Sequence, residues 1–389
     1  MNTDPSRQGS ETQDAALVIG MDSHGLAVAR ALAVMGVPVY SIERDPSLPG
    51  VASRHLRRNF PVADFTEEHL LPALREVRAQ LRDHAQVVLF PMNDRQVGLI
   101  ARHIDELAGL YRISWAHAAD DVLRLQRKDS LEQASTEAGL LYPRSQVLAT
   151  QADVGQVGAM RFPLILKPVQ PLSSFKVKIV DGLDEARAFV SAKQADMPLL
   201  CQEYIAGGDE TLVFGELLLD RGKPVFGMTG RKVLSHPPGQ GQATVAETHA
   251  DAEVLRLTEQ FFAGTQLSGP AALELKRDSL GRHWVIEPTI GRTEFLVELC
   301  IAAGFNQPWM EFQLALGWPV PAPGPLIERV WYDCERDPLV YLKSCVKSLG
   351  ATPRGKSPVF PYYGHGDNPP LWKACRRFLS DRAARLMQR

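Results

Sequence analysis

Two glutamates define the chemistry to look for. Glu274 lies in AALELKRD and Glu287 in HWVIEPT, two apolar runs joined by the turn DSLGR. The twelve residues between them, Leu275 to Ile286, let the runs pair side by side with both carboxylates near one level of a hairpin. Like charges opposed on adjacent strands weaken the pairing. They make sense where a divalent cation that demands hard oxygen ligands sits between them. Strand interiors also avoid lysine, yet Lys167 sits inside PLILKPV. A strand lysine can guard a sheet edge against aggregation; aimed into a cleft, its ammonium holds a phosphate.

Other charges point the same way. PLSSFKVK (171–178) combines serines with Lys176 and Lys178, the make-up of a loop that can close over a polyphosphate. QEYIAGGDE (202–210) ends a strand in Glu203. That carboxylate and the Tyr204–Ile205 backbone would suit a nucleobase amino group, although a plain charged strand end has the same look. IGRTEF places Arg292 and Glu294 just past Glu287. An arginine there suits a two-pronged grip on a carboxylate or phosphoryl group, and a surface ion pair is its bland alternative. Arg231 and Lys232, in GMTGRKVLSHPPGQG, add a cationic point before a loop whose His236 reads as a surface histidine.

These residues need a scaffold. Residues 16–43 read strand, turn, helix, strand (ALVIG, MDSHG, LAVARALAVMG, VPVYSIE), and VVLFP (87–91) with QVGLIARHIDEL repeats the pattern. Short unalternated apolar runs are those of a parallel sheet covered on both faces, so an open α/β domain is predicted. RKDSLEQASTEAGL then predicts a helix capped by Asp129, with Glu132 reaching back and Gly139 near its end. From about 145 to 320, strands and hairpins alternate with helices, turning at DRGK and DSLGR, which predicts an α+β region. GWPVPAPGP (317–325) reads as a crossover or linker.

Bulk composition narrows the class. The 389 residues are 45% apolar and 23% charged, with a formal net charge of −2, which offers no whole-molecule drive toward nucleic acid. No apolar run approaches the roughly 20 residues that span a bilayer. The polar start MNTDPSRQGSETQDA reads as a disordered leader. Five scattered cysteines without paired spacing read as reduced thiols in a cytoplasmic protein. Between Pro338 and Arg389 ten Lys/Arg face only Asp367 and Asp381; a solvated basic helix, or a docking surface for an acidic partner or membrane, would look like this.

One match misleads. GATPRGKS (350–357) has the letters of a phosphate-binding P-loop, but such a loop must follow a strand and open a helix. Here the segment before it looks helical, and Pro358 and Pro361 follow it. GMDSHG likewise lacks the full glycine fingerprint of a dinucleotide turn, with Glu43 where a ribose-binding acid would stand.

Taken in order, RKDSLEQASTEAGLLYPRS, PLILKPV, PLSSFKVK, LLCQEYIAGGDE and LELKRD…WVIEPTIGR resemble the ATP-grasp superfamily, in particular its carboxylate–amine ligases, over about residues 15–320. The resemblance implies an ATP-grasp fold (α/β plus α+β) with an N-terminal open α/β domain. Its expected parts are a leader (1–14), the α/β domain (15–118), a two-lobed ATP-grasp domain (119–320) and a basic helical extension (321–389). It implies ATP and Mg2+ (or Mn2+) as cofactors. Lys128 and Lys167, with Lys176 in the loop, would contact the phosphates, and Glu203, Tyr204 and Ile205 the adenine. Asp209 or Glu210 would lie nearer the ribose. Glu274, Glu287 and Thr289 would take the metal, with Thr289 where the family usually has asparagine. Arg292, displaced to five residues after Glu287, and Arg231 would neutralise an acyl phosphate. Asn93 and Asp94 in FPMNDRQ become substrate contacts. The implied activity is ATP-dependent amide formation between a small carboxylate and an amine, with no nucleic acid partner and room for a homodimer. A carboxylase, a thiol ligase and an inactive nucleotide-binding scaffold are the rivals within the fold. An NAD-linked oxidoreductase is the rival outside it.

Overall fold

The computed structural model describes residues 13–169, 175, 177–239, 241–337, 339–341, 356–364 and 366–387. Most of the expected leader and Lys176 lie outside the described residues. The N-terminal strands are β1 (Ala15–Ile19), β2 (Val39–Glu43), β3 (Leu56–Pro61) and β4 (Val87–Pro91), all parallel, in the order β3-β2-β1-β4. Every residue of β1 and β4 is buried. Leu17 and Ile19 enter one core while Ala16 and Val18 enter another on the opposite face, so the unalternated runs report a sheet covered on both sides. Helices α1 (Ser23–Ala33), α2 (Glu67–Gln80), α3 (Asp94–Arg102) and α4 (Ile104–Leu110) belong to this unit. The segment read as one helix from Gln96 to Leu107 is two, breaking at His103.

Helices α5 (Ala119–Leu125) and α6 (Leu131–Glu137) lead onward. Ser130 occupies the cap position of α6, whereas Asp129, the expected cap, pairs with Arg127 at 2.7 Å. A small antiparallel sheet follows, built from β5 (Ser145–Leu148), β6 (Leu164–Pro168), β7 (Lys178–Val180) and β8 (Leu199–Glu203) in the order β5-β8-β6-β7. Helix α7 (Leu183–Ala192) lies in this unit, and Leu164, Leu166, Leu199 and Cys201 form its separate core. Each fully buried aliphatic side chain of this kind contributes roughly 1.5–3 kcal/mol.

The large sheet comprises β9 (Leu212–Asp220), β10 (Lys223–His236), β11 (Gln242–Thr248), β12 (Gly269–Arg277) and β13 (His283–Ile290), extended by β14 (Arg329–Tyr332) and β15 (Ser357–Val359). Its order is β13-β12-β9-β10-β11-β14-β15. The β9–β10 turn places Arg221 and Gly222 at φ 48° and 75°, the positive pair that a tight hairpin turn requires. Leu217 and Leu273 share a core with Leu17 and Leu89, joining the large sheet to the N-terminal unit. Helices α8 (Ala252–Phe262), α9 (Val297–Ala302) and α10 (Gln307–Ala315) cover it.

The C-terminal stretch differs from a purely helical extension, because it adds two strands to the large sheet. Its final helix, Pro369–Met387, packs on the short turn Pro49–Ala52. Arg30 of α1 anchors the approach to it, donating to Asp367 Oδ2 at 2.9 Å. Most of the P-loop-like match lies outside the described residues, and the part that is described, Lys356 and Ser357, leads into a strand rather than opening a helix. No helix among the described residues is long and apolar enough to cross a membrane.

Candidate functional site

A cavity of about 500 Å³ opens between the small sheet and the large one. The peptide from Tyr204 to Gly208 links the two sheets at one side of it. Lys167 enters from β6, which lies between β8 and β7; Lys167 pairs with Leu200 of β8, and the β7 pairing ends one residue before it at Leu166. Strand alternation explains its direction: Leu164 and Leu166 face the small core, so Ile165 and Lys167 face the cavity. On β8 the same alternation turns Leu200 and Gln202 inward, and Gln202 Oε1 accepts from Lys167 Nζ at 3.2 Å.

Across the cavity the register places Glu274 of β12 directly opposite Glu287 of β13, with Thr289 one step further along the same face. A register shift follows Glu274. Burial raises the Glu274 pKa; Lys232 and Lys167 pull it down, whereas Glu287 and Glu294 push it further up. Neither Glu274 nor Glu287 makes an ion pair among the described residues. The Thr289 hydroxyl donates to Glu294, which brings a third carboxylate to the cavity wall.

Cations surround these acids. Burial lowers the Lys167 pKa, Glu287 opposes that, Lys128 adds to it and Glu274 again opposes it. Lys128 donates weakly to Pro168 O at 3.4 Å. Lys232 donates to Gly241 O at 2.9 Å, and Lys276 stands over the Tyr204 ring at 4.6 Å. Burial alone would depress the Arg292 guanidinium, but Asp94, Glu294 and Glu287 outweigh it and hold it charged. Arg292 donates to Asp94 Oδ1 at 2.6 Å, tying the cavity to the N-terminal unit.

The structure thus gathers Lys128, Lys167, Glu203, Tyr204, Ile205, Glu274, Glu287, Thr289 and Arg292 on one cavity. Several expectations change. Arg231 does not line it: alternation along β10 sends Lys232 inward and Arg231 to the opposite face, where it pairs with Glu247. Asp209 does not line it either; its carboxylate accepts from the Ser235 amide at 2.8 Å and from the Ser235 hydroxyl, fixing the end of β10. Glu210 is exposed and folds back on the Gly208 amide. Glu203 reaches the rim, but Arg161 N already donates to its Oε1 at 3.0 Å, and the Tyr204 amide is taken by Pro163 O. Asn93 caps α3, accepting from Gln96 N at 3.1 Å, so it is a structural cap first. His236 stays exposed.

Gln202, Lys232, Lys276 and Glu294 line the cavity without having been assigned roles in it. Strand parity carried a signal for Lys276, two residues from Glu274 on the same strand and so on the same face. Glu294 carried none, because it lies beyond the end of β13 in irregular chain.

No protein-family model matches the sequence, and no curated protein sequence matches it. Solved structures do match in three dimensions. N5-carboxyaminoimidazole synthase from Aspergillus clavatus, in complex with ADP and 5-aminoimidazole ribonucleotide, superposes with a TM-score of 0.67 at 15% identity, covering 87% of each chain. The fold is ATP-grasp. L-amino acid ligase from Bacillus licheniformis shares the ATP-grasp architecture at TM-score 0.58 and 18% identity, over 80% of this chain and 75% of that one. The biotin carboxylase domain of Hydrogenobacter thermophilus 2-oxoglutarate carboxylase, solved with MgADP, ADP and bicarbonate, does so at 0.62 and 13%, over 78% and 69%.

Proposed function

We propose that the chain is an ATP-dependent carboxylate–amine ligase. The observation that carries this reading is the facing pair Glu274–Glu287 across a cavity from Lys167. Cations surrounding two carboxylates that make no ion pair suit a metal-bound polyphosphate, and several solved structures of the same fold hold ATP or ADP. Lys167, Lys128 and Lys232 would hold the phosphates. Tyr204 and Ile205 at the link between sheets would hold the base.

The donor set fits Mg2+. Among the described residues no three His, Cys, Asp or Glu side chains converge to bind a metal on their own, and Mg2+ commonly takes one or two carboxylates and completes its shell with phosphate oxygens and water. Glu274, Glu287 and the lone pairs of the Thr289 hydroxyl would hold it, and when bound it neutralises phosphate charge. A substrate carboxylate then attacks the terminal phosphorus of ATP, forming an acyl phosphate and releasing ADP. An amine attacks the acyl carbon and expels phosphate. Arg292 stabilises the anionic carboxyl and phosphoryl oxygens, and the remaining work is positioning and charge neutralisation, so no side-chain nucleophile is required.

Phosphate release from Mg·ATP, screened over pairs of small carboxylates and amines, tests the proposal. Turnover that needs both partners and disappears in Lys167→Ala and Glu287→Ala supports it. Turnover unchanged in both variants removes the assignment.

A further inference from the structure

The final helix, Pro369–Met387, shows two unlike faces. Residues three apart on a helix share a side. Leu371 and Ala374 turn inward and pack against the core that holds Ala16 and Val18, and Arg377 on the same side approaches Asp45 Oδ2 at 3.8 Å. Lys373 Nζ donates to Pro46 O at 2.6 Å. The helix is therefore fixed to the N-terminal unit along one side.

The other side is open. Trp372, Cys375, Arg376, Leu379, Arg382 and Ala383 recur there at helical spacing, and all are exposed. Trp372 is 63% exposed and Leu379 65%, with Phe378 at 43% on their flank. Exposed apolar side chains are ordinary when scattered singly. Trp372 and Leu379 are not scattered: seven residues apart, they lie on one line along the helix two turns from each other.

Cations border this line. The helix carries Lys373, Arg376, Arg377, Arg382 and Arg385 against Asp381 alone. Arg376 and Arg382 make no ion pair among the described residues. Arg54 is held beside the start of the helix, its amide donating to Asp367 Oδ1 at 2.9 Å, and exposed Arg57 and Arg58 follow it closely in the chain. A second copy of the helix would set like charges against like, so this face is not self-complementary. An anionic bilayer matches both halves of it. Arginines meet the headgroup phosphates, and a tryptophan and a leucine on the same face enter the boundary with the acyl chains.

We propose that the final helix docks the protein on an anionic lipid surface. It lies in the plane of the interface, with Trp372 and Leu379 inserted and Arg376 and Arg382 among the headgroups. It does not span, being neither long nor apolar enough. Docking is independent of the chemistry proposed above, because the helix lines no part of the cavity.

Co-sedimentation of the full-length protein with vesicles tests this, using phosphatidylcholine alone or mixed with an equal amount of phosphatidylglycerol. Binding is expected to be at least about tenfold tighter on the mixed vesicles and to weaken at least about tenfold in molar salt. Each cation near such a surface is worth roughly a fivefold change, so Arg376→Ala/Arg382→Ala should weaken binding about tenfold or more. Trp372→Ser/Leu379→Ser should do the same through lost insertion. Both pairs alter outward side chains, so both variants should melt as the wild type does without lipid. No binding to the mixed vesicles, equal binding to the neutral ones, or unchanged binding in both variants overturns the proposal. Tighter capture by soluble polyglutamate than by the mixed vesicles also overturns it, in favour of an acidic protein partner.

Discussion

Replacing Glu274 by glutamine separates a metal-binding glutamate from a structural one, because the two roles predict opposite signs. Glu274 faces Glu287 across adjacent strands. Two unit charges about 5 Å apart repel by roughly 0.8 kcal/mol in water and about 3 kcal/mol at an effective dielectric of 20. Glu287 is exposed, so screening favours the lower end, about 1 kcal/mol. The raised pKa of Glu274 agrees in sign. A carboxyl whose folded pKa exceeds its unfolded value contributes stability below the unfolded value and loses it as pH rises through the folded one. Glu274→Gln should therefore raise the melting temperature of the nucleotide-free protein by about 1 °C at pH 7, and by little near pH 4. The same change removes a metal ligand. At ADP one hundred times its Kd with Mg2+, wild-type stabilisation is about 2.7 kcal/mol, and a tenfold loss of affinity cuts it to about 1.4 kcal/mol. Differential scanning fluorimetry at the two pH values, with and without Mg·ADP, reads both effects. A variant that melts lower without nucleotide and responds to Mg·ADP like the wild type would refute the reasoning.

Three further outcomes follow from particular contacts. Lys232→Ala should raise the KM for ATP about tenfold or more through loss of a charge-assisted contact, whereas Arg231→Ala, on the other face of β10, should change it less than about threefold; steady-state phosphate release checks both. Glu311 is buried, accepts from Ser114 Oγ at 2.9 Å, and has its pKa raised to about 8 mainly by burial. Its contribution to stability is present below about pH 4.5 and lost as pH rises through about 8, so the melting temperature of Glu311→Gln should fall less between pH 5 and pH 9 than that of the wild type. Gly291 holds φ 69°, and a Cβ there would meet Val97 at 2.8 Å and Trp115 at 3.1 Å. Gly291→Ala should cost about 1–3 kcal/mol in chemical denaturation and reduce turnover by displacing the neighbouring Arg292.

Much of this was legible because short-range rules fix it. The DSLGR turn and twelve-residue spacing set the β12–β13 register, so Glu274 and Glu287 meet as expected. Unalternated runs marked the parallel sheet. Other features depend on contacts that local pattern does not encode. Which of Arg231 and Lys232 enters the cavity depends on the facing of β10, a strand whose pairing with β11 is irregular beyond Lys232. The role of Asp209 depends on Ser235, 26 residues away. Strands β14 and β15 are short and pair in parallel across a long separation, so no turn signal announces them. Residues 202–210 looked like one nucleotide-binding stretch, yet Asp209 and Glu210 do not line the cavity.

The central claim is that Lys167 and the Glu274–Glu287 pair grip the phosphates of one magnesium nucleotide from opposite walls of the cavity. Calorimetric titration of ADP, with and without Mg2+, into the wild type, Lys167→Ala and Glu287→Gln tests it most directly. The account predicts weaker binding in Lys167→Ala under both conditions, and in Glu287→Gln a loss confined to the part that Mg2+ adds. Wild-type affinity and an undiminished magnesium effect in both variants would contradict it.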